Sequence, residues 1–71
     1  METSIRATIV ISHDDVNDYF LVINLDTGEE VRDFSTEDFD TWRYDDNYDE
    51  EEIVAKIAGI CNIGEYNLIH W

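Results

Sequence analysis

Positive charge is nearly missing from this chain of 71 residues. Three arginines and a single lysine, Lys56, stand against 18 acidic side chains, for a formal net charge of −14 with both histidines neutral. A chain this acidic does not bind nucleic acid through phosphate contacts, which need Lys and Arg, and an anionic membrane surface repels it. Proline is absent, and no linker or internal repeat divides the sequence, so this length reads as one domain, residues 1–71. The lone cysteine, Cys61, has no partner for an internal disulfide, which argues against a disulfide-stapled secreted scaffold and for a reducing, cytoplasmic setting. No apolar run approaches the roughly 20 residues of a membrane-spanning helix. Residues 5–11 are broken by Arg6 and Thr8 and do not read as a signal-peptide core.

High net charge points toward disorder, but 44% of the residues are hydrophobic and 13% aromatic, ordinary values for a globular domain. The apolar residues are also grouped, and their periods predict elements. Residues 3–12 alternate, with Ile5, Ala7, Ile9 and Ile11 on one face, the period of a half-buried strand. The polar stretch 13–18 reads as a loop. Residues 19–25 form a second strand with Tyr19, Leu21, Ile23 and Leu25 on one face. Asp26-Thr27-Gly28 reads as a tight hairpin connection, with Asp26 starting the turn and Gly28 in the left-handed position. A third strand, about residues 29–34, pairs antiparallel with the second.

Ser35-Thr36-Glu37-Asp38 resembles a capping box and predicts a short helix or helical turn ending near Trp42, with Phe39 and Trp42 on its buried side. Asp49-Glu50-Glu51-Glu52 opens the main helix, about residues 50–62. Its apolar side carries Ile53, Ile57 and Ile60 with Cys61, its acidic first turn suits the helix dipole, and Gly64 marks its stop. Residues 65–71 make a final strand. The expected fold class is α+β, a single antiparallel sheet of about four strands in the order β-β-β-α-α-β, with one main helix packed on one face.

The acids are uneven. Asp26, Glu29, Glu30, Asp33, Glu37, Asp38, Asp40, Asp45, Asp46, Asp49, Glu50, Glu51 and Glu52 crowd the middle of the chain, where only Arg32 and Arg43 oppose them. A solvated loop is the usual meaning of such a run, but a surface kept acidic for solubility is normally interspersed with lysine. A dense field of one sign costs the fold and gains when a cationic partner is met. Carboxylates alternating on a strand lie about 6–7 Å apart, and those one helical turn apart about 5–6 Å. Either row can be offered to Lys and Arg side chains built to receive phosphates. The expected contact set is Asp33, Glu37, Asp38, Asp40, Asp45, Asp46, Asp49, Glu50 and Glu51, with Tyr44 and Tyr48 as either interface anchors or packing residues.

In length, charge and sheet-helix layout the chain resembles small acidic phage-encoded inhibitors, among them anti-CRISPR proteins and uracil-DNA glycosylase inhibitors. The resemblance implies a DNA-mimicking surface that occludes the basic groove of a nucleic-acid-binding protein, a Cas effector or another DNA- or RNA-binding enzyme. It implies action in the host cytoplasm, as a monomer or homodimer. The alternative is an antitoxin-like regulatory module that neutralises a basic protein whose groove binds no nucleic acid. A third reading, adaptation to high salt, is disfavoured by nine isoleucines and five asparagines against three glycines and three alanines.

Enzymatic and metal chemistry is not expected. Asp45, Asn47 and Asp49 match the first, third and fifth positions of an EF-hand loop, but Glu50 and Lys56 occupy the sixth and twelfth, where Gly and Glu belong. His13 reads as solvated in its loop, and His70, distant in sequence, as packed or facing water. Cys61 reads as a small core residue. No phosphate loop, zinc spacing or nucleophile motif is present, and no cofactor is implied.

Overall fold

The computed structural model describes residues 4–71; Thr3, assigned by its alternation to the first strand, lies outside the described residues. The elements are β1 (Ile5–His13), β2 (Asp18–Asn24), β3 (Glu30–Ser35), a 3-10 turn (Thr36–Phe39), α1 (Glu50–Ile60) and β4 (Ile63–His70). They form one four-stranded sheet in the order β3-β2-β1-β4 with the helix packed on one face. This is the expected small α+β domain, with a sheet that is mostly antiparallel.

The alternation of β1 puts Ala7, Ile9 and Ile11 in the core, each with no solvent exposure. Both faces of β2 are apolar, so its own sequence does not choose which one turns inward. Pairing chooses: Phe20 lies opposite Ile11 and Val22 opposite Ile9, and cross-strand partners share a face. Phe20 and Val22 are therefore buried with Phe34 of β3, while Tyr19, Leu21 and Ile23 share the face away from the helix. Leu25 lies beyond the strand and is exposed.

The β2–β3 turn begins at Asn24, not Asp26. The Asn24 side-chain oxygen accepts the N–H groups of Asp26 at 2.8 Å and Thr27 at 3.2 Å, an Asx turn. Gly28 takes the left-handed position (φ 75°) as expected.

The box at Ser35 yields only four residues of 3-10 helix. The Asp38 carboxylate accepts the Ser35 N–H at 2.8 Å, and Asp40, left-handed at φ 54°, ends the turn. Phe39 is half-buried against Phe34, ring centroids 5.9 Å apart. Trp42 falls beyond the turn and is 47% exposed, which corrects its expected burial: the turn stops before a second apolar row can form.

Asp49 caps α1 by accepting the Glu51 N–H at 3.1 Å. Ile53, Val54 and Ile57 are buried. Ile60, expected on that side, is 55% exposed, because the helix end overhangs the sheet. The helix ends at Ile60 with Cys61 as its cap, and Asn62, left-handed at φ 55°, turns the chain away before the expected stop at Gly64. Gly64 instead belongs to β4, where a Cβ would stand 2.9 Å from the Ser4 Cβ; a close strand approach fixes glycine there.

The sheet differs from a purely antiparallel one at β4, which pairs parallel with β1. The cause is the crossover. β3 leaves the sheet at one end, and α1 carries the chain back along the helical face, about 16 Å at 1.5 Å per residue. The last strand therefore starts where β1 starts and runs the same way. Among the described residues no helix is long and apolar enough to cross a membrane.

Candidate functional site

One end of the sheet gathers the exits of β1, β3 and β4, the entry of β2 and the N-terminus of α1. The β1–β2 loop and the β3–α1 connection are tied together there. The Arg43 N–H donates to the Val16 carbonyl at 2.9 Å, and the Asp14 N–H to the Asn17 carbonyl at 2.8 Å. The Thr36 hydroxyl donates to the Asn17 side-chain oxygen at 2.9 Å.

The centre of this end is Asp18, 1% exposed. Its Oδ1 lies 2.6 Å from His13 Nδ1 and 3.8 Å from Arg43 Nε, and its Oδ2 accepts the Tyr48 hydroxyl. Its backbone N–H reaches the Thr36 hydroxyl at 3.3 Å. A buried carboxylate is tolerated only when paired and hydrogen-bonded, and these three side chains supply both. Burial, then the bond to Asp18, pushes the Tyr48 phenol well above its ordinary value. Beside this hub the His13 and His70 rings stack with centroids 6.5 Å apart, and His70 Nε2 lies 2.8 Å from Glu50 Oε1, latching the end of β4 to the start of α1.

Sequence reasoning missed this hub. His13 is exposed as expected, but it ends β1 with its Nδ1 on Asp18, and His70 packs against it. One signal was legible: His13 and Asp18 bracket a four-residue loop between two strands, which sets them opposite one another.

Around the hub stand Asp14, Asp15, Glu37, Asp38, Asp40, Asp45, Asp46, Asp49, Glu50, Glu51 and Glu52. The one arginine at this end does not neutralise them outwardly. Arg43 Nη2 donates to the Asp15 carbonyl at 3.1 Å and also to the Tyr44 hydroxyl. Its guanidinium covers the Tyr44 ring at 4.6 Å while its Nε turns to Asp18. Lys56 lies further along α1, 3.6 Å from Glu52.

The expected contact residues sort accordingly. Glu37, Asp40, Asp46, Asp49 and Glu51 are exposed. Asp38 is exposed but receives the Ser35 N–H. Asp45 is half-buried, with Oδ1 accepting the Asn47 N–H at 2.9 Å; with Asp40, Asn47, Asp49, Glu52 and Lys56 it lines a cavity of about 200 Å³. Glu50 is half-buried against His70. Tyr44 is 70% exposed. Tyr48 is half-buried against the core, with its hydroxyl committed to Asp18. Asp33 lies apart, on the sheet face away from the helix and opposite Leu21. Asp26, Glu29 and Glu30, part of the same acidic run in sequence, sit at the opposite end of the sheet.

Among the described residues no group of three or more His, Cys, Asp or Glu side chains is arranged to hold a metal ion. Cys61 packs partly against the core, and burial pushes its thiol upward. Comparison with protein families, curated proteins and solved structures returned no match.

Proposed function

We propose that this protein is a non-enzymatic inhibitor whose acidic end occupies the basic groove of a nucleic-acid-binding protein, as DNA-mimic inhibitors of the anti-CRISPR type do, and that it acts in the cytoplasm. The observation that carries the reading is the segregation of carboxylates at the end where Arg43 is turned inward to Asp18. The outward surface there is left predominantly anionic, with Lys56 beside Glu52 as the cation at its margin. Such a surface raises encounter rates with a cationic groove, and Lys and Arg give carboxylates the charge-assisted bonds they give phosphates. The hub supports this use, because it holds the β1–β2 loop and the β3–α1 connection in one geometry before any partner arrives, which reduces the ordering cost of association. Tyr44 and Trp42, both exposed among the acids, supply the aromatic anchors that charge alone lacks.

The test is capture from a host lysate at low and at high salt, followed by competition. The reading expects a nucleic-acid-binding protein that is retained at low salt, released at high salt, and unable to hold DNA or RNA while this protein is bound. A captured partner that binds its nucleic acid and this chain together would contradict the reading. So would capture of only a basic protein without a nucleic-acid site, the outcome that belongs to the antitoxin-like alternative.

A further inference from the structure

The second apolar surface of the molecule lies on the sheet face opposite α1. An antiparallel sheet with one face in water normally turns polar residues outward. Here the outward row reads Asp33, Leu21, Val10 and Ile69, one residue from each strand in direct register. It crosses about 14 Å at the usual strand spacing. Tyr19 flanks the row. Trp71, whose N–H donates to the Ile11 carbonyl at 2.7 Å, closes it at the β4 edge with its side chain 88% exposed. Together these residues line a groove of about 580 Å³. At the β3 edge it adjoins a second hollow of about 190 Å³ bounded by Tyr19, Asp33, Ser35 and Asp38.

We infer that this face docks a cationic amphipathic helix of a partner protein, with aliphatic side chains over Leu21, Val10 and Ile69 and a Lys or Arg in the hollow beside Asp33. Charge complementarity selects the occupant. The groove is apolar along its length and anionic at one end, and the Asp33 carboxylate has no partner among the described residues. Among the described residues the one cation on this face, Arg6, is already paired with Asp26. A second copy of this chain brings a net charge of −14, so its approach to Asp33 is opposed by like charge. A single helix, about 10 Å across, fits the groove, and Ile53, Val54 and Ile57 of α1 cover the other face of the same sheet in the same manner. The inference rests on the sheet face and not on the acidic end; Asp38 is the carboxylate that borders both.

The test uses the full chain in a Trp42→Phe background, so that Trp71 is the only indole, and a helical peptide of leucine and lysine with its leucines on one face. A peptide of the same composition in scrambled order is the control, at physiological salt. The ordered peptide is expected to shift Trp71 emission to the blue and to bind at least tenfold tighter than the scrambled one. Leu21→Gln and Asp33→Asn should each weaken it about tenfold, while Asp45→Asn with Asp46→Asn should change it less than threefold. Asp33 is exposed, so its variant reads the site even if Leu21→Gln compromises folding. Equal binding of both peptides, or full affinity in Asp33→Asn, would overturn the inference. A dimer in light scattering that the ordered peptide does not dissociate would overturn it as well.

Discussion

The two ends of the sheet use arginine in opposite ways. At the hairpin end, Asp26, Glu29, Glu30 and Glu65 share Arg6, which reaches outward to pair with Asp26 in solvent; that bond raises the guanidinium pKa. At the other end Arg43 turns inward to Asp18 and the Tyr44 ring, and among the described residues exposed carboxylates such as Asp40, Asp46 and Glu51 stay without an ion pair. The hairpin end spends its cation on a surface pair, which contributes little to stability. The crowded end spends its cation on architecture and leaves its charge available. Composition alone does not distinguish these uses; the depth of the carboxylate each arginine meets does.

Removing the two carboxylates separates the ends most sharply. Asp18→Ala strips partners from His13, Tyr48 and Arg43 and should cost about 3 kcal/mol, the scale for breaking a buried pair from one side. Asp26→Ala should cost far less, because its pair is exposed and screened by solvent. Urea denaturation of both variants checks this, and equal losses would dissolve the contrast.

Alkaline pH gives a second, smaller separation. The folded-state pKa of Tyr48 is raised, so the folded state holds the phenol proton more tightly than the unfolded chain. The stability this contributes is fully present below the ordinary value of about 10 and is lost as pH climbs above it. Wild type should therefore lose stability between pH 9 and 11 more steeply than Tyr48→Phe. Parallel losses in the two proteins would show that the hydroxyl of Tyr48 is not specially held.

Salt gives the smallest effect. Raising ionic strength from about 0.01 to 0.15 M shortens the Debye length from about 30 to 8 Å and should raise the melting temperature by a few degrees through relief of self-repulsion. Neutralising Asp45, Asp46 and Glu51 at the crowded end should shrink that rise. Neutralising Asp26, Glu29 and Glu30 should shrink it less. A flat or falling melting temperature in wild type would contradict crowding of like charge.

What the sequence revealed follows from how local each cause is. The alternation of β1 and the Asp49 cap of α1 are written in consecutive residues, so both were legible. The inward face of β2 was not, because Tyr19 through Ile23 is apolar on both sides and β1 decides the matter. The parallel direction of β4 depends on where α1 delivers the chain, and Trp42 escaped burial because Asp40 ended its turn early. The acidic run was visible, but its division was not: one hairpin sends Asp26, Glu29 and Glu30 about 20 Å, a strand's length, from the acids that follow. In the Asp18 hub only the His13–Asp18 spacing is local; Thr36, Arg43 and Tyr48 come from distant positions in the chain, so no spacing announces them.

The most direct test of the acidic end is displacement of bound DNA or RNA from the captured partner by two variants that keep the fold. One carries Asp45→Asn, Asp46→Asn, Asp49→Asn and Glu50→Gln, with Asn at position 49 retaining the helix cap. The other carries Asp26→Asn, Glu29→Gln and Glu30→Gln at the hairpin end. The account predicts that the first loses about 100-fold in displacing power, roughly 2.7 kcal/mol, and the second less than threefold. Equal losses, or a larger loss in the hairpin variant, would contradict it.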